Sequence, residues 1–275
     1  MEKYVALIAD IKHSREMKEE ERIGCQWKLF EIVNKLNEIL SHSIYRKIVF
    51  SAGDSIQGLF YDMRGALYFR YLLKNLFHPF SVRCGLGVGT IYQIELGNES
   101  DSNYLDGEAY HRATKALEVC KETEQDLLVQ SENLENDVLL NQFFHTIMDL
   151  ERKQTRKQRD VNVLINLLGP VLSDKLIPSA RRDEYAGFIK ELLPDIIKEY
   201  SLDTDRLQGF RFDPKDETGL IDTEKRIFYK EPISPNLHLE ASKLLSVSRE
   251  SVRQTVESGM MNEIRRLEIM VFVMC

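Results

Sequence analysis

Tyr4-Val-Ala-Leu-Ile-Ala-Asp10, Ile48-Val-Phe-Ser-Ala-Gly53-Asp54 and Phe80-Ser-Val-Arg-Cys-Gly-Leu-Gly-Val-Gly-Thr-Ile91 decide the fold. All three are apolar runs of strand length, the pattern of strands covered on both faces. Between the first two, Ile23, Trp27, Phe30, Val33, Leu36 and Leu40 recur at three- and four-residue steps, which predicts a helix over 18–40 with that stripe inward. Gly53-Asp54 reads as a turn joining strands 44–50 and 56–60. A second helix over 65–77 buries Leu67, Tyr71, Leu72 and Leu76 and stops before Pro79. After the glycine strand come a helix over 106–121, for which Asp106 is a candidate N-cap, and a short strand at 127–129. The order βαββαβ is that of the ferredoxin-like α+β arrangement.

That arrangement sets the end of the first strand beside the hairpin turn, and so Asp10 beside Asp54. An Asp at either place alone serves equally well as a helix cap or turn residue. Two carboxylates at neighbouring strand ends can instead converge on a hard divalent cation, Mg²⁺ or Mn²⁺, together with substrate phosphates. Gly53 allows a sharp turn and lets a phosphate approach the backbone. Near this point Arg83 could reach a phosphate and Gln57 a metal-bound water, or both could be plain surface residues.

The 275 residues suit two domains, predicted as 1–131 and a mostly helical 132–275 with an insertion at about 170–235. Within 132–168 the helical pattern is interrupted by a charged break at 151–160. A helix is expected over 185–200 despite Pro194, and a small hairpin from 207–212 and 226–229. The hydrophobic share of 43% and charged share of 29% are those of a soluble globular chain. No apolar run approaches the roughly 18 residues of a membrane span, so neither a membrane partner nor a secretory leader is expected, and a cytoplasmic location follows. The apolar residues 269–275 are expected to end a helix, form a strand or make a dimer contact. Cys25, Cys84, Cys120 and Cys275 match no metal or redox spacing and read as buried hydrophobes. No Ser-His-Asp or Cys-His arrangement supports a nucleophile-based hydrolase. Net charge is −7 and the pI about 5.5, which argues against broad nucleic-acid coating. Residues 151–182 nevertheless carry a local net charge of +5.

Residues 237–258 carry a helix-turn-helix pattern. Leu244, Leu245, Val247, Val252 and Val256 are spaced for two short helices across a tight turn, with small Ser242 at the crossing. Ser246 takes the turn position where glycine is commonest, and Ser248 caps the second helix. That helix would present Arg249, Ser251, Arg253 and Gln254 to phosphates or base edges of double-stranded DNA. The same pattern also suits a packing or dimerisation hairpin.

The segments 4–14, 53–60, 82–91 and 106–113 resemble the bacterial SatD family over roughly residues 1–130, and the C-terminal helix-turn-helix is in keeping with it. More distantly the same segments resemble class III nucleotidyl cyclases. By that resemblance Asp10 and Asp54 would hold two metal ions, and Ile11, Lys12, His13 and Ser14 would cradle a nucleoside triphosphate. His111 and Lys115 stand where those enzymes carry a transition-state Asn and Arg; His can still hydrogen-bond a ribose, and Lys meets a phosphate without a bidentate fork. Phe50 and Tyr104 stand at the base-reading positions, where they can stack on a base but cannot read adenine by hydrogen bonds. The resemblance also implies a homodimer with composite sites. Three functions compete: a regulator coupling nucleotide and metal binding to a DNA-binding helix-turn-helix, an active two-metal cyclase-like enzyme, and a scaffold that has lost the ligand.

Overall fold

The computed structural model describes residues 2–93, 105–196 and 232–275. Tyr104 and the hairpin expected at 207–229 lie outside them. The chain divides into two compact units, Met1–Met148 with Cys275, and Asp149–Met274.

The first unit runs β1 (Tyr4–Ile11), α1 (Glu19–Ile39), β2 (Ile44–Ala52), β3 (Ser55–Phe60), α2 (Met63–Leu76), β4 (Val82–Gly89), β5 (Tyr92–Gln93), β6 (Leu105–Asp106), α3 (Glu108–Thr123) and β7 (Leu127–Gln130). The main sheet has the order β2-β3-β1-β4-β7. The first four strands are antiparallel neighbours, the ferredoxin-like arrangement, and β7 adds parallel to β4. Local chemistry sets the ends of the elements. The Asp62 carboxylate accepts from Gly65 N–H at 2.8 Å and starts α2.

Both sheet edges are closed by an asparagine. Asn37 of α1 accepts from Ile48 N–H and donates to its carbonyl on β2, at 2.9 and 2.8 Å. Asn141, on α4 (Leu134–Arg152), does the same to Val129 of β7 at 2.8 and 2.9 Å. Each pair removes a donor and an acceptor that an open edge would offer to another chain.

The sheet has two distinct faces. Val5 pairs with Phe60, whose ring meets Phe69 of α2 at 5.5 Å, so α2 lies on the face of Val5, Leu7 and Ala9. The other face carries Tyr4, Ala6, Ile8 and Asp10 opposite Gly89, Gly87, Gly85 and Arg83. α3 sits on those glycines. A Cβ on Gly85 would stand 2.1 Å from the Ala113 carbonyl oxygen, and one on Gly87 2.1 Å from that of Ala109. The glycine strand is therefore a seat for a helix backbone.

Two expectations are corrected here. In α1 the buried stripe is Cys25, Leu29, Ile32, Val33, Leu36 and Ile39, while Ile23, Trp27 and Phe30 are exposed. Asp106 does not cap α3. Gly107 takes that place with φ 145°, because a Cβ there would lie 2.6 Å from the Thr90 carbonyl.

The second unit contains α5 (Arg156–Leu168), α6 (Ser173–Leu176), α7 (Arg182–Ile196), α8 (Pro235–Leu244), α9 (Arg249–Ser258) and α10 (Met261–Met274). The break expected at 151–160 narrows to residues 153–155, where Thr155 and Gln158 form a capping box. α7 carries Pro194 inside it. The C-terminal apolar run ends α10, which buries Ile264, Ile269, Val271 and Phe272. α5 is buried along most of its length, and its Asn166 accepts from the buried Arg265 guanidinium of α10 at 3.3 Å. Among the described residues no helix is long and apolar enough to cross a membrane.

Candidate functional site

Asp10 is the last residue but one of the buried strand β1 and is 9% accessible. It pairs with Ser55 on β3 and Arg83 on β4, so these three side chains share the α3 face. Ser55 follows directly on the two-residue turn Gly53-Asp54, and Ala52 pairs with Ser55 across it. The structure thus brings Asp10 and Asp54 to one corner of the sheet. Gly53 has φ 58°, the left-handed region that favours glycine, and a Cβ there would meet nothing within 4 Å.

The two oxygens of Asp10 have different surroundings. Oδ2 accepts from the Lys121 ammonium of α3 at 2.6 Å, and among the described residues Oδ1 is buried without a hydrogen-bond partner. Arg83 Nε is likewise buried and has no hydrogen-bond partner among the described residues. A buried acceptor left open beside a second carboxylate suits a hard cation, and Mg²⁺ needs only one or two carboxylates when water and phosphate oxygens complete its shell. No group of three or more metal-ligating side chains occurs among the described residues, so any ion here would rely on Asp10, Asp54 and its own substrate.

The segment after Asp10 is divided in its roles. Ile11 is core. Lys12 is drawn aside by Asp126, Nζ to Oδ1 2.6 Å. His13 has φ 58° and meets Glu16 at 3.2 Å, and Ser14 is buried at the start of a 3₁₀ turn. The first turn of α1 then carries Glu19, Glu20 and Glu21. An anion at that helix end would face three carboxylates, so the dipole there does not favour phosphate.

Phe50 does not join Asp10. It pairs with Ile56, which pairs with Ala9, and its ring meets Phe30 of α1 at 6.1 Å on the opposite face of the sheet. Gln57 pairs with Ile8 and shares the Asp10 face. His111 and Lys115 are exposed on the N-terminal half of α3, and His111 Nε2 lies 3.3 Å from Asp106. α3 runs antiparallel to β4, since Gly89 meets Glu108 and Ala109 while Gly85 meets Leu117. Lys121 therefore stands at the Asp10 end, and at 1.5 Å per residue Lys115 and His111 lie about 9 and 15 Å back along the axis. Lys121 escaped the sequence reading. The signal for it was the β-α-β crossover, which returns the end of α3 to the start of β4.

In the second unit α8 and α9 meet across residues 245–248. Ser246 has φ 53°, Ser242 is buried, and the Ser248 hydroxyl accepts from Ser251 N–H at 3.1 Å. The outward side of α9 holds Arg249, Ser251, Arg253 and Gln254. Arg253 is engaged by Glu250 at 2.6 Å and by Glu257, and Gln254 donates to Glu250 at 3.1 Å. The guanidinium holds the Glu250 carboxyl down at about 2, mainly through their hydrogen bonds. The start of α5 abuts the other end of α9, with Gln158 donating to Ser258 at 3.0 Å and Gln154 to the Gly259 carbonyl at 2.6 Å.

The SatD family model matches residues 4–169, more than half of the chain, and the chain belongs to the SatD family. No curated protein matches it. Two solved structures of a bacterial light-regulated adenylyl cyclase are similar in part. One is 17% identical with a TM-score of 0.35, covering 46% of this chain and 74% of that chain. The other is 18% identical with a TM-score of 0.34, covering 46% of this chain and 42% of that chain.

Proposed function

We propose that this SatD-family chain binds a nucleoside triphosphate together with Mg²⁺ or Mn²⁺ at Asp10 and Asp54. The observation that carries the reading is the buried, unpartnered Oδ1 of Asp10 beside the Gly53-Asp54 turn. A fold keeps a desolvated acceptor open only at a cost, and a bound cation would offset it. The metal would supply positive charge for the phosphates; the chain supplies the two carboxylates, the open backbone at Gly53 and the cations of Lys121 and Arg83. His111 and Lys115 stand too far along α3 to serve the same copy's Asp10. A site using both sets needs a second copy, so catalysis belongs to a homodimer and a lone chain acts as a sensor.

The test meets the full chain with each of the four ribonucleoside triphosphates and Mn²⁺ or Mg²⁺, beside Asp54→Ala. Pyrophosphate release that Asp54→Ala abolishes identifies an enzyme. Metal-dependent nucleotide binding without release, also lost in Asp54→Ala, identifies a sensor. Binding that Asp54→Ala leaves intact refutes the assignment of the site.

A second reading, double-stranded DNA along α9, is supported by the left-handed turn at Ser246, the Ser248 cap and the exposed Arg156, Lys157 and Arg159 at the neighbouring end of α5. Arg253 would have to exchange Glu250 and Glu257 for phosphates. Affinity for random duplex should then fall steeply with salt. Salt-independent binding, or none, rejects this reading.

A further inference from the structure

The cation already on Asp10 is Lys121. Its ammonium lies 2.6 Å from Oδ2, its side chain is 49% accessible and that of Asp10 is 12% accessible. The pair is thus lopsided: the carboxylate is fixed in the strand, while the lysine reaches in from a half-solvated helix face. A second cation, Lys12, is tied to Asp126 and does not compete for Asp10. Directly across the sheet from Asp10, Arg83 holds a buried Nε with no partner. Two carboxylates, Asp10 and Asp54, against two cations, Lys121 and Arg83, leave no net negative charge to draw in a free divalent ion. The same set has the right charge for a divalent ion that arrives with phosphates.

We propose that Lys121 is a built-in counter-cation that makes metal capture at Asp10 depend on the phosphate tail. In the empty site it neutralises Asp10 and disfavours free Mg²⁺ or Mn²⁺. When a metal–polyphosphate enters, the ammonium leaves Oδ2 for a phosphate oxygen, the cation takes the carboxylate, and Arg83 Nε–H finds the acceptor it lacks. The glutamates at the start of α1 leave this side of the corner as the one favourable to the tail. The inference rests on the reading of Asp10 and Asp54 as the metal corner, and it gives Lys121 effects of opposite sign on the two ligands.

The test uses Mn²⁺ alone and Mn²⁺ with inorganic tripolyphosphate, followed by calorimetry and by the Mn²⁺ electron-spin resonance signal. The full chain is compared with Lys121→Gln, Lys121→Arg and Asp10→Ala. Glutamine suits a half-exposed helix position, so Lys121→Gln is expected to fold. Removing a partly exposed pair should let Lys121→Gln bind Mn²⁺ alone roughly fivefold more tightly. The same variant should hold Mn²⁺–tripolyphosphate about fivefold more weakly, and Lys121→Arg should stay near the parent in both. If Lys121→Gln moves both affinities in one direction, or neither, Lys121 is not the switch, although the metal corner stands as long as Asp10→Ala abolishes binding. If Asp10→Ala changes no binding, the metal corner is wrong and this inference falls with it.

Discussion

Asp10→Ala separates a ligand-holding residue from a structural one. In the folded chain one Asp10 oxygen is paired with a lysine that is half in water, and such pairs stabilise by at most about 1 kcal/mol. The other oxygen is buried without a partner, which costs about 1–3 kcal/mol. Alanine removes both contributions and leaves Lys121 solvated. The expected balance runs from no change to a gain of about 3 kcal/mol in the metal-free protein. Trp27 is the only tryptophan and lies on α1, so its fluorescence during urea unfolding follows the N-terminal unit. With chelator present, the variant should unfold at the same or higher urea than the parent. With Mn²⁺ and tripolyphosphate at a hundred times the dissociation constant, the parent should gain about 2.7 kcal/mol and the variant nothing. A metal-free loss of more than about 1 kcal/mol would show that Asp10 is held in place for the fold, and the argument from its open oxygen would fail.

Gly87→Ala should be costly for the opposite reason. Its Cβ would meet Ala109 O at 2.1 Å and Ala113 N at 2.3 Å, both backbone atoms that cannot rotate away. A loss of about 3 kcal/mol, the upper end for overpacking, is expected in the same urea experiment; a parent-like midpoint would mean that α3 does not lie on β4. The buried thiols give a pH prediction. Burial pushes Cys25 up to about 11, Cys120 up to about 12 and Cys84 higher still. Above pH 9 the unfolded thiols lose protons that the folded ones keep, so stability is complete below pH 9 and declines towards pH 11–12. The urea midpoint should fall with less slope in Cys120→Ala than in the parent, and equal slopes would deny Cys120 its burial.

Strand order and the placing of Asp10 beside Asp54 were legible because uninterrupted apolar runs and a Gly-Asp turn leave few topologies open. The facing of α1 was not. Its sequence holds two apolar stripes that share Val33 and Leu36; periodicity favours the one with Trp27 and Phe30, yet the sheet takes the one with Cys25, Leu29 and Ile32. A cysteine gives little hydrophobic signal, and nothing local says how far an edge strand reaches beneath a helix. The glycines of β4 were legible as special, but not as a helix seat. That meaning depends on Ala109 and Ala113, more than twenty residues away, bringing small side chains to the same line. The residues of α9 were likewise legible one by one, whereas the pairing of Arg253 with Glu250 and Glu257 appears only once helical spacing closes the i,i+3 and i,i+4 contacts.

The polarity of α3 ties these points to function. A helix joining parallel β4 and β7 must run back along the sheet, so its two ends serve opposite ends of β1. Lys121 is thereby committed to Asp10 and His111 to the other end, while Lys115 lies at the middle of the helix. No rotamer change can bring His111 across about 15 Å to Asp10 of its own chain. Either those two residues act on a second copy, whose Asp10 must then face them, or they are surface residues and the proposed site works without them. In the first case, mixing an Asp54→Ala chain with a Lys115→Ala chain restores one intact site per mixed dimer and part of any pyrophosphate release. In the second, Lys115→Ala alone leaves metal–nucleotide binding unchanged and no mixing effect exists.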